Sequence, residues 1–271
     1  YHDEHGRADR ERSIFHIPNP YAAAVAHSHP ESFEWAASIH PYRADCVDAL
    51  HAAAQQGARA VKWLPSAMGI DPLSARCDRF YEALAASDMP IISHAGRELA
   101  VQGGNQDFGN PLRLRRALDH GVRVVVAHCA SDGDDHDIDQ GAKGPRVRSF
   151  TLFARLMDEP RYMGKLYADI SALTQLNRMW ALKSVLRRGD WHPRLLNGSD
   201  YPLPGIMPLF SVTDMLHREL LDPDAVPFLQ AIRAHNSLLF DFSLKRLLRF
   251  EKTRFPSSVF ETRRFFERKA A

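Results

Sequence analysis

Three short apolar stretches decide the fold: PIISH at residues 90–94, VRVVVAH at 122–128 and RLLNGSD at 194–200. Each stretch predicts a buried β-strand, and residues with helical periodicity separate each strand from the next. Each strand ends in a side chain that can ligate a metal or transfer a proton. In a parallel α/β fold the carboxyl ends of the strands face one common crevice. These three end residues, which we expect to converge, are His94, His128 and Asp200.

Three more apolar runs, at 33–39, 59–64 and 165–170, bring the number of predicted strands to six. Helices are predicted between and after them, at 20–27, 46–56, 79–86, 112–118, 150–157, 180–187, 209–220 and 227–234. Six strand–helix units in strict alternation predict a parallel sheet in an α/β chain, most simply a TIM (β/α)8 barrel. Residues 1–271 are predicted to form one domain. A basic amphipathic helix is expected from residue 243 to the end, and it includes 246–271. Its expected use is to dock at a subunit contact in a homo-oligomer.

The composition excludes several classes of protein. The chain has 271 residues, 45% of them hydrophobic, which is enough for a full core. The formal charge of +2 comes from interleaved acids and bases, so we expect no nucleic-acid partner. No apolar run approaches the ~20 residues of a membrane span, so we expect no membrane partner. The three cysteines are too few for a disulfide framework, which favours the cytoplasm.

Four motifs in this order resemble the amidohydrolase superfamily, in its amidohydrolase-related (amidohydrolase 2) branch. SHAG at 93–96, AHCAS at 127–131 and GSDYP at 198–202 resemble the family's motifs on strands five, six and eight. AHNSLLF at 234–240 resembles the helix that follows strand eight. The resemblance covers residues 18 to 245 and implies a TIM barrel. It makes the run at 33–39 strand three, so the chain as given is expected to lack the first one or two βα units.

The family carries a His-x-His metal pair on strand one. The one His-x-His here, His27-Ser28-His29, precedes strand three and is not expected to bind the family metal. His2 and His5 lie in a polar terminal stretch that is predicted to be solvated.

The predicted chemistry is hydrolysis with a metal-activated water. A bound divalent ion can lower the pKa of its water from about 15.7 to about 7. Imidazole and carboxylate donors suit Zn²⁺, with Mn²⁺ as an alternative, so His94 and Asp200 are the predicted metal ligands. His128 is predicted to act as general base or to stabilise a developing oxyanion, and Asp200 to accept a hydrogen bond from the bound water. The resemblance implies the same roles.

Four residues near the strand ends are candidates for binding a small-molecule substrate. Lys62, in Val-Lys-Trp-Leu-Pro, could anchor a carboxylate; it could also bridge two metals, as a strand-four lysine does in two-metal members of the superfamily, or extend to the barrel rim. Arg97 lies near the mouth, where it could help bind a carboxylate. Glu98 could orient substrate or a metal ligand, or form a loop salt bridge. His40 could line the pocket or stabilise a turn.

Other polar residues have simpler interpretations. Cys129 is predicted to be a packed thiol, because strand alternation points it away from the side of His128. Asp169 could hydrogen-bond a ligand histidine. The acid-rich stretch 131–145 is not an EF-hand, since Asp137 stands where glycine is needed and Lys143 where glutamate is needed. It is predicted to be a solvated loop or a mobile lid.

Three functions remain open. The first is a metal-dependent hydrolase that acts on a C–N or ester/lactone bond of a small organic molecule. The second is a metal-dependent, non-oxidative decarboxylase, because the same branch includes lyases that act on aromatic or dienoic acids. The third is a non-catalytic relative with an incomplete metal site.

Overall fold

The computed structural model describes residues 1–14, 16–101, 104–206 and 208–267. These residues fold into two compact units. The first unit consists of Tyr1–Tyr167 together with the C-terminal segment from Arg263, and the second consists of Ala168–Thr262. The prediction that the whole chain is one domain stays a prediction.

Ten strands occur in the described residues. In chain order they are β1 (Ala36–Ala37), β2 (Ala60–Trp63), β3 (Ile91–His94), β4 (Val124–Ala127), β5 (Asp134–His136), β6 (Arg146–Arg148), β7 (Leu166–Asp169), β8 (Leu195–Leu196), β9 (Arg249–Phe250) and β10 (Thr253–Arg254). The sheet of the first unit has the order β1-β2-β3-β4, and in the second unit β7 is the neighbour of β8. The pairs β1–β2, β2–β3, β3–β4 and β7–β8 are parallel. The predicted α/β class and parallel sheet are confirmed, although most strands are shorter than predicted.

The helices of the described residues follow the predicted alternation. They are α1 (Asn19–Ser28), α2 (Cys46–Gln55), α3 (Pro65–Met68), α4 (Asp78–Ala86), α5 (Arg115–Asp119), α6 (Ser149–Met157), α7 (Leu182–Arg187), α8 (Val212–His217), α9 (Ala225–His235), α10 (Ser237–Leu247) and α11 (Arg263–Phe266). The predicted helices at 112–118 and 180–187 begin as 3₁₀ turns, Pro111–Leu114 and Met179–Ala181. None of the helices in these ranges is long and apolar enough to cross a membrane.

The core of the first unit explains why its strands read as unbroken apolar runs. All four residues of β4 are at most 1% exposed, as expected for a parallel strand that is covered on both faces. On β2, Trp63 packs against Phe80 and Tyr81 of α4, with ring centroids 5.8 and 5.9 Å apart. Phe80, Tyr81 and Leu84 recur at helical spacing and are fully buried, so one face of α4 covers the sheet.

The expected helix from residue 243 to the end is wrong. Helix α10 ends at Leu247, and β9 and β10 then pair as an antiparallel hairpin, followed by a 3₁₀ turn and by α11. Phe250, Phe255 and Val259 are all buried. On one continuous helix, Phe255 and Val259 would lie roughly 140° and 180° around the axis from Phe250, so no single face could bury all three. Residues 268–271 of the predicted helix lie outside the described residues.

The stretch 131–145 is not a solvated loop, because its acids are used in structure. Strand β5 within it pairs with β6 as an antiparallel hairpin. Asp137 is 1% exposed and accepts two hydrogen bonds of 2.7 Å from Arg155 of α6, an ion pair that lowers the pKa of Asp137 to about 2. Asp135 is also buried and accepts a 2.6 Å hydrogen bond from Ser149. The partners lie outside the stretch, which is why local composition was misleading.

Candidate active site

His94 and His128 come together at the carboxyl ends of neighbouring strands. His94 is the last residue of β3 and pairs in register with Ala127, the last residue of β4, so His128 follows at the same edge of the sheet. The two imidazole rings lie edge to face, with centroids 5.4 Å apart. His94 is 5% exposed and His128 is 6% exposed. The expected convergence of these two residues is therefore present within the first unit.

Glu98 completes this group. Its Oε2 lies 3.4 Å from Nδ1 of His94, and its Oε1 accepts backbone hydrogen bonds from Ala100 and Val101 at 2.6 and 3.1 Å. The carboxylate is buried, so these contacts compensate for its lost hydration. The contact with Nδ1 fixes the orientation of the His94 ring. This contact is compatible with both sequence interpretations of Glu98, a loop salt bridge and the orientation of a metal ligand, and both stay predictions.

The other nitrogen of His94 is also engaged. Nε2 lies 3.2 Å from the carbonyl oxygen of Arg97. A neutral imidazole has one N–H, so it can donate to only one of its two oxygen neighbours, whereas an imidazolium ring can donate to both. A metal ion could reach this ring only by displacing one of these oxygens.

The backbone after β4 is strained. His128, Cys129 and Ala130 have φ angles of 59°, 52° and 47°, in the left-handed region that residues other than glycine rarely adopt. Consecutive left-handed residues of this kind are held by their surroundings and concentrate at functional sites. Cys129 is fully buried, as predicted for a packed thiol.

The loops that follow β3 and β4 are fastened to each other. The backbone N–H of Arg97 donates to the Asp132 carbonyl at 2.9 Å, and its guanidinium donates to the Asp132 carboxylate at 3.1 Å. Gly96 has a φ of +85°, and a Cβ there would lie 2.3 Å from the Asp132 carbonyl oxygen, so the approach requires glycine. Arg97 thus ties the two histidine-bearing loops together, and its predicted contact with substrate stays a prediction.

Lys62 lies on β2 and lines a cavity of about 240 Å³ within the first unit. The cavity walls are largely apolar and include Leu64, Met68 and Val101. Val101 connects this cavity to the histidines, because its N–H binds Glu98. The location is compatible with the predicted role of Lys62 as an anchor for a substrate carboxylate, which stays a prediction.

His40 is engaged by protein groups on both ring nitrogens. Nε2 lies 3.0 Å from the Met68 carbonyl oxygen, and Nδ1 accepts a hydrogen bond from the Tyr42 N–H at 3.3 Å. The ring packs 4.7 Å from that of His2, so His2 is not the solvated residue that was expected. Burial, and then the neighbouring His2, lower the pKa of His40 to about 3. These contacts match the turn-stabilising interpretation, and binding of substrate by His40 stays a prediction.

The shifted pKa of His40 predicts that acid weakens the fold. Between pH 6.5 and pH 3 the unfolded chain binds a proton at this residue and the folded chain does not, so the free energy of unfolding falls as the pH is lowered. The expected loss from this residue is about 2 kcal/mol at pH 5. Urea unfolding at pH 7 and pH 5 measures this effect: the free energy of unfolding should fall less between the two pH values in His40→Gln than in the wild type. In an exposed control, His51→Gln, it should fall as much as in the wild type. An equal fall in all three proteins would contradict the assignment to His40.

The second unit holds Asp200 and Asp169. Asp200 follows β8 and has a left-handed φ of 56°. Asp169 ends β7 and accepts a hydrogen bond from the Ser171 N–H at 3.0 Å. The predicted roles of Asp200 as metal ligand and catalytic residue, and of Asp169 as a hydrogen-bond partner of a ligand histidine, stay predictions.

Lys245 and Asp241 are residues that the sequence interpretation did not single out. They are 1% exposed each, and Lys245 Nζ donates to Asp241 Oδ2 and to the Gly198 carbonyl oxygen, both at 2.6 Å. The pair therefore holds the backbone two residues before Asp200. The spacing of four residues between an acid and a lysine on one helix was the available signal.

The donor types at the strand ends suit Zn²⁺ or Mn²⁺, and an ion bound at His94 would take the place of one of the two oxygens that face its ring. Among the described residues, no three His, Cys, Asp or Glu side chains lie close enough together to hold an ion. In the first unit, both nitrogens of His94 face oxygen atoms, and Glu98 is held by backbone donors.

Comparison with known proteins identifies the family of this chain. The profile of the family described as Amidohydrolase matches residues 3–206. The chain belongs to this amidohydrolase family. The resemblance drawn from the four motifs is thereby confirmed, and the chain is a member of an enzyme family. No curated protein matches it.

Several solved structures of low sequence identity are similar to this chain. A TIM-barrel protein from Bordetella bronchiseptica is 19% identical, with 83% of this chain and 73% of that chain covered at a TM-score of 0.53. A protein assigned as a 2-pyrone-4,6-dicarboxylic acid hydrolase, from Pseudomonas putida, is 17% identical over 93% of this chain and 78% of its own, at a TM-score of 0.50. A dihydroxybenzoic acid decarboxylase from Polaromonas sp. JS666, with bound manganese and 2-nitroresorcinol, is 17% identical, with 84% of this chain and 74% of that chain covered at a TM-score of 0.46. The likeness to the TIM-barrel protein from Bordetella bronchiseptica confirms the TIM-barrel fold class.

Proposed function

We propose that the chain is a hydrolase that adds water to a C–N or ester/lactone bond of a small organic substrate. The observation that carries this proposal is the pair of nearly buried imidazoles, His94 and His128, at adjoining strand ends with their rings 5.4 Å apart. Hydrolysis needs a group that takes a proton from water and a positive group beside the carbonyl oxygen. Membership of the amidohydrolase family supports the same assignment.

The two histidines have different surroundings and are proposed to have different roles. His94 is held on one nitrogen by Glu98 and on the other by the Arg97 carbonyl, so its orientation is fixed. An oxygen acceptor on one ring nitrogen orients a histidine whose other nitrogen binds a metal ion, so His94 is the proposed metal ligand. His128, on the strained turn after β4, is the proposed general base that accepts a proton from the attacking water.

A divalent metal ion is part of the proposed function. When bound, the ion would polarise the scissile carbonyl and lower the pKa of a water molecule. His94 is the proposed ligand of the first unit, because imidazole is a donor that both Zn²⁺ and Mn²⁺ accept. The predicted roles of Asp200, as a metal ligand and as an acceptor of a hydrogen bond from water, stay predictions for the second unit.

Non-oxidative decarboxylation is the second candidate, and the cavity beside Lys62 is what supports a substrate with a carboxylate. An ammonium group in a largely apolar cavity of about 240 Å³ could hold the carboxylate that such a reaction removes. The same contact would also anchor an acidic substrate for hydrolysis. The reaction product therefore distinguishes the two candidates.

A substrate panel tests the proposal. The panel contains aryl lactones, anilides, aryl esters and hydroxybenzoates, and it is assayed with the full chain by acid release and by carbon dioxide release. We expect acid from at least one lactone, amide or ester, loss of this activity with a chelator, and recovery with Zn²⁺ or Mn²⁺. Carbon dioxide release from a hydroxybenzoate, with no acid from the other substrates, would contradict the hydrolase and support the lyase.

A further inference from the structure

Arg233 of α9, in the second unit, is a cation with an unused hydrogen-bond donor. Its guanidinium lies 5.8 Å from the ring centre of Phe210 and 5.1 Å from that of Phe240. Nη1 donates to the Phe210 carbonyl at 3.1 Å. Nη2 is buried and has no hydrogen-bond acceptor among the described residues. A buried N–H without an acceptor is costly, so this group calls for a partner.

No carboxylate of the described chain neutralises Arg233. No acidic oxygen lies within 4.0 Å of it in the described ranges, and burial lowers its pKa with no opposing effect from a neighbouring acid. Asp214, an acid close in sequence to the surrounding loop, is bound by Arg218 at 2.6 Å. The two aromatic rings offset part of the cost of burying the charge. They provide no acceptor for Nη2.

A cavity of about 450 Å³ lies beside Arg233. Besides Arg233, its lining includes the polar Ser211, Thr213 and Gln230 and the apolar Phe210, Val212 and Ala234. The set contains hydroxyl and amide groups and apolar surface, but no acid. Ser211 Oγ already accepts a hydrogen bond from the Asp214 N–H at 3.0 Å, so its own O–H remains to be donated. The lining of the cavity therefore suits a ligand that has an anionic group and an apolar part.

We propose that this cavity binds the carboxylate of a small organic acid through Arg233. The guanidinium N–H groups match the geometry of carboxylate oxygens, and the charge strengthens the hydrogen bond. Phe210, Val212 and Ala234 contact the apolar part of the ligand. The volume lies within the roughly 300–1,000 Å³ of small-molecule sites. The site belongs to the second unit and does not depend on the proposed hydrolysis.

Calorimetric titration of the full chain tests this site. The probes are benzoate, its neutral analogue benzamide, and inorganic phosphate. We expect Arg233→Met to weaken benzoate binding on the order of tenfold or more, as expected when a charged hydrogen bond is lost. Arg246→Met is the matched control, because Arg246 also stacks on a phenylalanine of this unit, at 5.0 Å from Phe260, but does not line the cavity. It should bind benzoate like the wild type.

Each remaining outcome also decides the proposal. Arg233→Lys keeps the charge and loses the forked geometry, so it should weaken benzoate binding even if Arg233→Met fails to melt cooperatively. Benzoate that binds the wild type and Arg233→Met equally, or binds neither, would overturn the site. Benzamide binding as tightly as benzoate would overturn the role of the charge. Phosphate binding more tightly than benzoate would overturn the carboxylate class.

Discussion

Replacing His128 with asparagine should lower kcat on the order of 10²–10⁴-fold, the range expected when a general base is removed. Asparagine is suited to this position because it tolerates the left-handed backbone that His128 adopts at φ 59°. The loss of turnover can therefore be separated from a loss of fold. Steady-state kinetics on the best hydrolytic substrate, together with thermal melting, provide both measurements.

The control for this experiment is His51→Asn, an exposed histidine on α2 that lies away from the strand ends. Its kcat should equal that of the wild type. The proposed role of His128 would be refuted by a His128→Asn protein that turns over substrate at the wild-type rate. If His128→Asn does not melt cooperatively, His128→Gln takes its place, and its kcat is expected to fall by the same factor.

Replacing Lys245 with methionine should lower the free energy of unfolding by about 3–5 kcal/mol, the cost of breaking a buried ion pair from one side. Lys245 and Asp241 are each 1% exposed, and the Nζ–Oδ2 distance is 2.6 Å. The substitution leaves the Asp241 carboxylate without its partner and removes the donor from the Gly198 carbonyl. Burial raises the pKa of Asp241 and lowers that of Lys245, and the charge of each partner opposes this shift in the other.

Urea unfolding measures this effect, and a double variant separates its cause. Lys245→Met combined with Asp241→Leu removes both charges and should recover much of the lost stability, because an apolar pair can replace a buried ion pair. Lys252→Met, at an exposed position, should change the free energy of unfolding by less than about 0.5 kcal/mol. A loss below about 1 kcal/mol in Lys245→Met would show that the pair is not coupled as the distances indicate.

The strands were predictable because their signal is local. A run such as 122–128 is apolar along its whole length, and the parallel sheet that buries both faces requires this pattern. The ends of strands were less predictable, because a strand extends only where it pairs with a neighbour. The strand predicted at 33–39 contains only Ala36 and Ala37, which pair with Ala60 and Val61. The prediction of a C-terminal helix was wrong for a related reason. Tertiary packing buries Phe250, Phe255 and Val259 across a hairpin and the turn that follows it, whereas no single helix face could bury all three.

The site was predictable where a residue's position on a strand determines its location. His94 and His128 could be placed from the strand pattern alone, and Glu98 follows four residues after His94. Asp137 and Arg233 could not be interpreted in this way. Asp137 depends on a partner from another element and Arg233 on the absence of an acidic partner in the described part of the chain, and local charge patterns do not carry that information. Asp137 shows this most clearly. It lies in an acid-rich stretch that was predicted to be solvated, yet it is buried and paired with Arg155 of α6.

Turnover in ¹⁸O-labelled water, followed by mass spectrometry of the product acid, tests the central claim most directly. If the histidines at the ends of β3 and β4 direct water onto a C–N or ester/lactone bond, each product acid gains one labelled oxygen, and His128→Asn forms this product at least a hundredfold more slowly. Release of carbon dioxide with no label in the organic product, or equal labelling rates in the two proteins, would contradict the account.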